Sequence, residues 1–187
     1  MLTFPPLFNG NLVRLAAPLP EDKEVFAGWT RNDDYMRLLD DDPVKPLSAA
    51  HFGSFDSVAA NDSFYFHLRT LQNDQLIGFV VLFNLKWGNQ SAEMAIGIGT
   101  PDYRGKGYGQ DALRLILNYA FNELNLYRVG LSVMTYNDAA INAYERAGFV
   151  REGVRRGAVQ RGGARHDLAL YGILREEWLS RPYPAAR

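Results

Sequence analysis

The chain has 187 residues, 47% of them hydrophobic and 22% charged, with a net charge of −1. That suits one ordinary globular domain with a proper core and gives no general attraction to nucleic acid or acidic membrane. The absence of cysteine excludes disulfides, thiolate metal sites and a cysteinyl acyl-enzyme, and His51, His67 and His166 lack ligand spacing, so no metal is expected.

Taken in order, Asn11–Leu15 reads as a short strand and Pro20–Trp29 as a helix with acids in its first turn. Residues 31–47 are rich in Asp and Pro and read as irregular, and Ser48–Ala60 reads as a further helix. Ser63–Thr70 and Leu76–Trp87 are strands joined across Asn73-Asp74, and Ser91–Gly99 is a third strand of the same meander. A glycine loop and a helix over Tyr108–Leu124 follow, with Leu113, Ile116, Leu117, Ala120 and Leu124 on one stripe. Arg128–Met134 is a strand, and Asp138–Ala147 is a helix with Gly148 at its C-terminal cap. Phe149–Gln160 and Arg165–Leu174 form a last hairpin across Arg161-Gly162-Gly163. The pattern predicts an α/β fold with a mixed sheet, in a single domain over 1–187 with its core at about 11–178. No apolar run approaches membrane-spanning length, and Met-Leu-Thr-Phe-Pro-Pro is not a signal peptide, so a cytoplasmic protein is expected.

Arg104-Gly-Lys-Gly-Tyr-Gly109 is the most informative stretch. Its glycines let the backbone turn sharply before a helix whose first N–H groups and dipole attract an anion such as a pyrophosphate. The loop lacks the Gly-Lys-Ser/Thr of a phosphate loop and the early βαβ context of a dinucleotide fold. Charge is uneven as well. Residues 1–100 hold 7 Lys/Arg against 12 Asp/Glu, and residues 101–187 hold 13 against 9. A basic half suits an anionic cofactor and an acidic half a cationic substrate, although scatter in surface charge gives the same numbers.

The Arg/Gln-x-x-Gly-x-Gly/Ala pattern resembles the coenzyme loop of the GNAT superfamily of acetyl-CoA-dependent N-acyltransferases. Asn137-x-x-Ala140-x-x-x-Tyr144-x-x-x-Gly148-Phe149, about thirty residues on, resembles the second signature of that family. The resemblance spans roughly Asn11 to Trp178. It implies a mixed, mostly antiparallel sheet flanked by helices, acetyl-CoA as co-substrate, and coenzyme contacts from Ile98, Gly99, Arg104, Gly105, Lys106, Gly107, Tyr108, Gly109, Asn137 and Ala140. The long N-terminal region and the Gly153-x-x-Arg156…Gly163-x-x-x-Asp167 run look most like the branch acetylating N-termini of ribosomal proteins; polyamine and antibiotic acetyltransferases lie close to it.

The resemblance further implies that Tyr144 protonates the departing thiolate and that Asn137 holds the pantetheine arm. The plainer readings are a core aromatic for Tyr144 and a helix cap for Asn137. Neutralising a lysine-type amine at pH 7 costs about 4.6 kcal/mol, against about 1.1 kcal/mol for an N-terminal amine. Glu93 is the proposed base, on the strand face shared by Ala95, Gly97 and Gly99; an exposed strand-end glutamate is the alternative. A backbone N–H of Ile96–Ile98 is expected to meet the oxyanion. Asp33, Asp34 and Asp40–Asp42 offer attraction to a cation or merely a solvated loop, and Trp29 and Tyr35 are candidate walls of the acceptor pocket. The expected function is acetylation of a protein N-terminal α-amine. A small-molecule amine acetyltransferase and a catalytically silent acyl-CoA-binding module are the rivals, and pairing through the last hairpin would give a homodimer.

Overall fold

A computed structural model describes residues 6–52 and 63–181. The elements are β1 (Val13–Ala16), α1 (Asp22–Trp29), α2 (Asp33–Leu39), β2 (Phe64–Thr70), β3 (Leu76–Lys86), β4 (Ser91–Ile98), α3 (Tyr108–Asn118), β5 (Arg128–Met134), α4 (Asp138–Ala147), β6 (Val150–Arg161), β7 (Ala164–Leu174) and α5 (Arg175–Leu179). The strands form one sheet in the order β1-β2-β3-β4-β5-β7-β6, antiparallel throughout except between β4 and β5.

Strand alternation divides the sheet into two covered faces. On one, Leu68, Val80, Leu82 and Met94 pack with Leu113, Ile116 and Leu117 of α3. Each such leucine or isoleucine contributes about 1.5–3 kcal/mol on burial. On the other, Phe26 of α1 packs on His67 and Phe79 at ring distances of 4.8 and 6.0 Å. Asp22 anchors α1 there, accepting from the Leu19 N–H at 2.9 Å, meeting His67 Nδ1 at 2.6 Å and pairing with Arg69. Asp111 of α3 ties down the N-terminal strand, accepting from the N–H groups of Asn11, Leu12 and Val13 at 2.8, 2.7 and 3.0 Å.

Three elements between residues 31 and 124 differ from the sequence reading, and α5 was not expected. Residues 31–47 are not wholly irregular: Asn32 accepts from the Tyr35 N–H at 2.9 Å and caps α2, with Asp33 and Asp34 in the first turn. Of the helix expected over Ser48–Ala60, only a single turn over Ala49–Phe52 falls within the described residues; the remainder lies outside them. The helix expected to reach Leu124 changes after Asn118 into a wider π turn over Tyr119–Glu123. The last hairpin closes tightly, Arg161 pairing with Ala164 around Gly162 and Gly163, both at positive φ.

Candidate active site

The site begins with a parting of strands. β4 and β5 pair only over Ser91–Glu93 and Arg128–Gly130. Beyond that point β4 stays with β3 as far as Ile98, while β5 follows β7 to Met134. The Gly99 N–H bonds to Ile77 O on the β3 side, and Gln90 O takes the Tyr127 N–H on the β5 side. By alternation the N–H and C=O groups of Ile96 and Ile98 point into the opening between the strands.

A cavity of about 240 Å³ occupies this opening, and Ile98, Arg104, Gly105, Gly109, Asn137, Ala140 and Tyr144 all line it. Tyr144 is buried, with its ring 5.8 Å from Phe149 in an edge contact. Burial pushes its phenol up to about 12, so it stays protonated at neutral pH. The glycine loop beside it bends through positive φ at Gly105 (69°) and Gly107 (90°). Gly107 is the N-cap of α3 without a side-chain cap, which leaves the first-turn N–H groups available to a ligand.

The other proposed coenzyme residues are placed differently. Arg104 donates from Nε to Ile98 O and from a terminal nitrogen to Gly99 O, both at 2.8 Å, so its fork fastens the end of β4. Lys106 is exposed, and Tyr108 stands edge-on to Tyr103 at 5.0 Å. Gly107 opens onto a neighbouring groove of about 550 Å³ that also carries Arg114, Arg146 and Arg181. Gly99 does not line the cleft: Trp29 covers it and occupies the space a β-carbon would need. Asn137 uses both ends of its amide, accepting from Ala140 N–H at 3.2 Å and donating to Leu38 O at 3.1 Å.

Glu93 stands apart from Tyr144. It lines a separate cavity of about 490 Å³ with Lys86 and Arg128, above Gly130. Its carboxyl is held above the usual glutamate range, chiefly by desolvation and also by Glu152, against the lowering effect of Arg128 and Lys86. It shares the Gly97 face of β4, about 13 Å along the strand from Gly97.

Residues of α2 complete the Tyr144 cavity: Tyr35, Leu38 and Leu39 line it from the face opposite α4. The sequence signal for them was the Asn32-Asp33-Asp34 helix start. Hydrogen bonds tie the segment to later parts of the chain. Tyr136 donates to Arg37 O at 2.8 Å, and one Arg161 nitrogen reaches Asp40 O and Asp42 O, each at 2.7 Å. In the Gly153–Asp167 run, Asp167 accepts the Gly157 N–H at 2.8 Å, which fixes the β6–β7 register shift. Among the described residues no His, Asp or Glu cluster suits a metal ion, and no helix is long and apolar enough to cross a membrane.

The parted strands and the glycine cradle at one helix start define an acyl-coenzyme A transferase fold, and sequence comparison agrees. The profile described as "Acetyltransferase (GNAT) domain" matches residues 13–150. The chain belongs to this family and is an acetyl-CoA-dependent N-acetyltransferase. It is 36% identical over 108 residues, 58% of each chain, to the "Putative ribosomal N-acetyltransferase YdaF" of Bacillus subtilis. It is 35% identical over 106 residues, 57% of this chain and 61% of the other, to a spermidine N(1)-acetyltransferase of Vibrio cholerae. These matches thus span about three fifths of either relative. A crystal structure of spermidine N-acetyltransferase from Vibrio cholerae in complex with CoA and spermine superposes with a TM-score of 0.80 at 26% identity, covering 90% of this chain and 98% of that one.

Proposed function

We propose that the protein transfers acetyl directly from acetyl-CoA to the α-amine of a peptide or protein N-terminus, at the opening between β4 and β5. The observation that carries this is the convergence of the Gly105–Gly109 cradle, the inward-facing Ile96–Ile98 backbone and a neutral Tyr144 on one cavity. In this reading the coenzyme pyrophosphate rests on the loop and α3 start. Its pantetheine arm runs along β4 like an added strand. The groove beyond Gly107, with Arg146 and Arg181, suits the remaining phosphate.

The amine nitrogen attacks the thioester carbon, and an Ile96 or Ile98 N–H steadies the oxyanion. Collapse breaks the carbon–sulfur bond, and Tyr144 gives its proton to the departing thiolate. The amine proton leaves through water toward Glu93, because that carboxylate is too far along β4 for direct contact.

The acceptor preference rests on charge. Among the described residues no carboxylate lines the Tyr144 cavity, and Asp33 is paired with Arg37 at 3.1 Å. An α-amine is the easier substrate there, since it needs only about 1.1 kcal/mol to become neutral at pH 7. A second reading, acetylation of a polyamine, is favoured by the likeness to spermidine acetyltransferases and by the acids of the 40–42 loop. Thiol release from acetyl-CoA with N-terminal peptides, polyamines and aminoglycosides separates the two. Turnover confined to peptides supports the first, turnover confined to polyamines the second. Coenzyme binding without turnover on any amine would favour a silent binding module.

A further inference from the structure

We propose that the Tyr35 hydroxyl binds the acceptor amine, accepting a hydrogen bond from its N–H on the face of β4 opposite Tyr144. This rests on the acetyl-transfer reading above and adds a residue to the acceptor side of the site.

Tyr35 is only 6% exposed, yet its hydroxyl has no hydrogen-bond partner among the described residues. Buried phenols ordinarily have one. The ring is held firmly, so the hydroxyl has not strayed from a protein partner. Asn32 caps the residue's own N–H, the Arg104 guanidinium stacks on the ring at 4.9 Å, and Trp29 packs edge-on at 6.5 Å. Arg104 makes no hydrogen bond to the oxygen: its guanidinium lies over the ring face, and Nε and one terminal nitrogen are turned to Ile98 and Gly99.

The hydroxyl stands directly over Gly97, 2.6 Å from the position a β-carbon there would take. Gly97 therefore makes room for it, and Tyr35 lines the same cavity as Tyr144, with the oxygen buried at its wall. Attack and departure occur on different sides of the thioester carbon. With the thiolate collected by Tyr144, the Tyr35 side is left for the incoming nitrogen. Glu93 shares that face of β4, so the amine and its proton acceptor fall on one side. Burial holds the Tyr35 phenol neutral despite Arg104, and a neutral phenol oxygen accepts an N–H.

The test is Tyr35→Phe in the full chain, assayed with acetyl-CoA and two amines, a tetrapeptide with N-terminal alanine and spermidine. For whichever amine the native enzyme acetylates, kcat/KM for the amine should fall about tenfold, mainly through KM, while KM for acetyl-CoA stays within about twofold. The melting temperature should hold or rise, since no protein hydrogen bond is lost. Unchanged amine kinetics, an equal loss in acetyl-CoA affinity, or a lower melting temperature would overturn the proposal. Turnover with neither amine would count against the function proposed above and leaves a separate readout for Tyr35. In protein labelled with ¹³C at tyrosine Cζ and loaded with coenzyme A, the signal missing from Tyr35→Phe should shift on adding the peptide or spermidine. A signal that moves with neither overturns the assignment.

Discussion

Asn137 donates to the carbonyl of Leu38, ninety-nine residues away, at 3.1 Å, while its other amide atom caps α4. One side chain thus fixes the helix that carries Tyr144 and the segment that lines the same cavity from α2. Asn137→Ala should lose a cap and a long-range bond, about 2 kcal/mol together. Thermal melting should show a fall of about 4–8 °C. Asn137→Asp keeps the capping oxygen and should recover roughly half the loss.

Asp111 holds three consecutive N–H groups of the N-terminal strand. Burial pushes its carboxyl up, but the N–H groups of Leu12, Val13 and Asn11 and the Arg114 guanidinium outweigh it and hold the pKa below the usual aspartate value. A lowered folded-state pKa gives stability that is complete above the unfolded value near 3.9 and is lost as pH falls through the folded one. Asp111→Asn should cost about 2–3 kcal/mol at pH 7 in urea unfolding, with the gap to the native chain narrowing below about pH 4.

The meander, the glycine loop and both signature helices were legible because each carries a local pattern: alternation, turn residues or a helical stripe. Leu113, Ile116, Leu117 and Ala120 are buried as their spacing required. α2 was hidden because its seven residues are too short for periodicity, and only its Asn32 cap announced it. The facing of Glu93 with Gly97 followed from alternation, but the distance between Glu93 and Tyr144 did not. That distance depends on where β4 leaves β5, a long-range property that neither strand's sequence states. Gly97 and Gly99 read as the lining of an open cleft. Gly97 does line the cavity, but both are also the hollows that receive Tyr35 and Trp29, side chains from sixty to seventy residues earlier, and Trp29 shuts Gly99 off from it.

In the proposed coenzyme site Arg104 holds the backbone at the end of β4. Arg104→Lys keeps the charge but loses the two-carbonyl fork, and coenzyme A affinity by calorimetry should fall about tenfold. Lys106→Ala, at an exposed position, should change it by less than about threefold.

Glu93→Gln should lower kcat/KM most below pH 7. The deficit should shrink toward about pH 9, where an α-amine of pKa about 7.8 loses its proton unaided. A mutant-to-native ratio that stays constant across pH would remove Glu93 from the proton path.

In the proposed mechanism Tyr144 supplies the proton for the leaving coenzyme A. The most direct measurement is kcat of Tyr144→Phe beside its calorimetric affinity for coenzyme A. We expect kcat to fall about a hundredfold or more, with affinity within about twofold of the native chain. The native rate should show no alkaline decline from this group below about pH 10, because burial lifts its phenol to about 12. A Tyr144→Phe enzyme that turns over at the native rate would contradict the assignment.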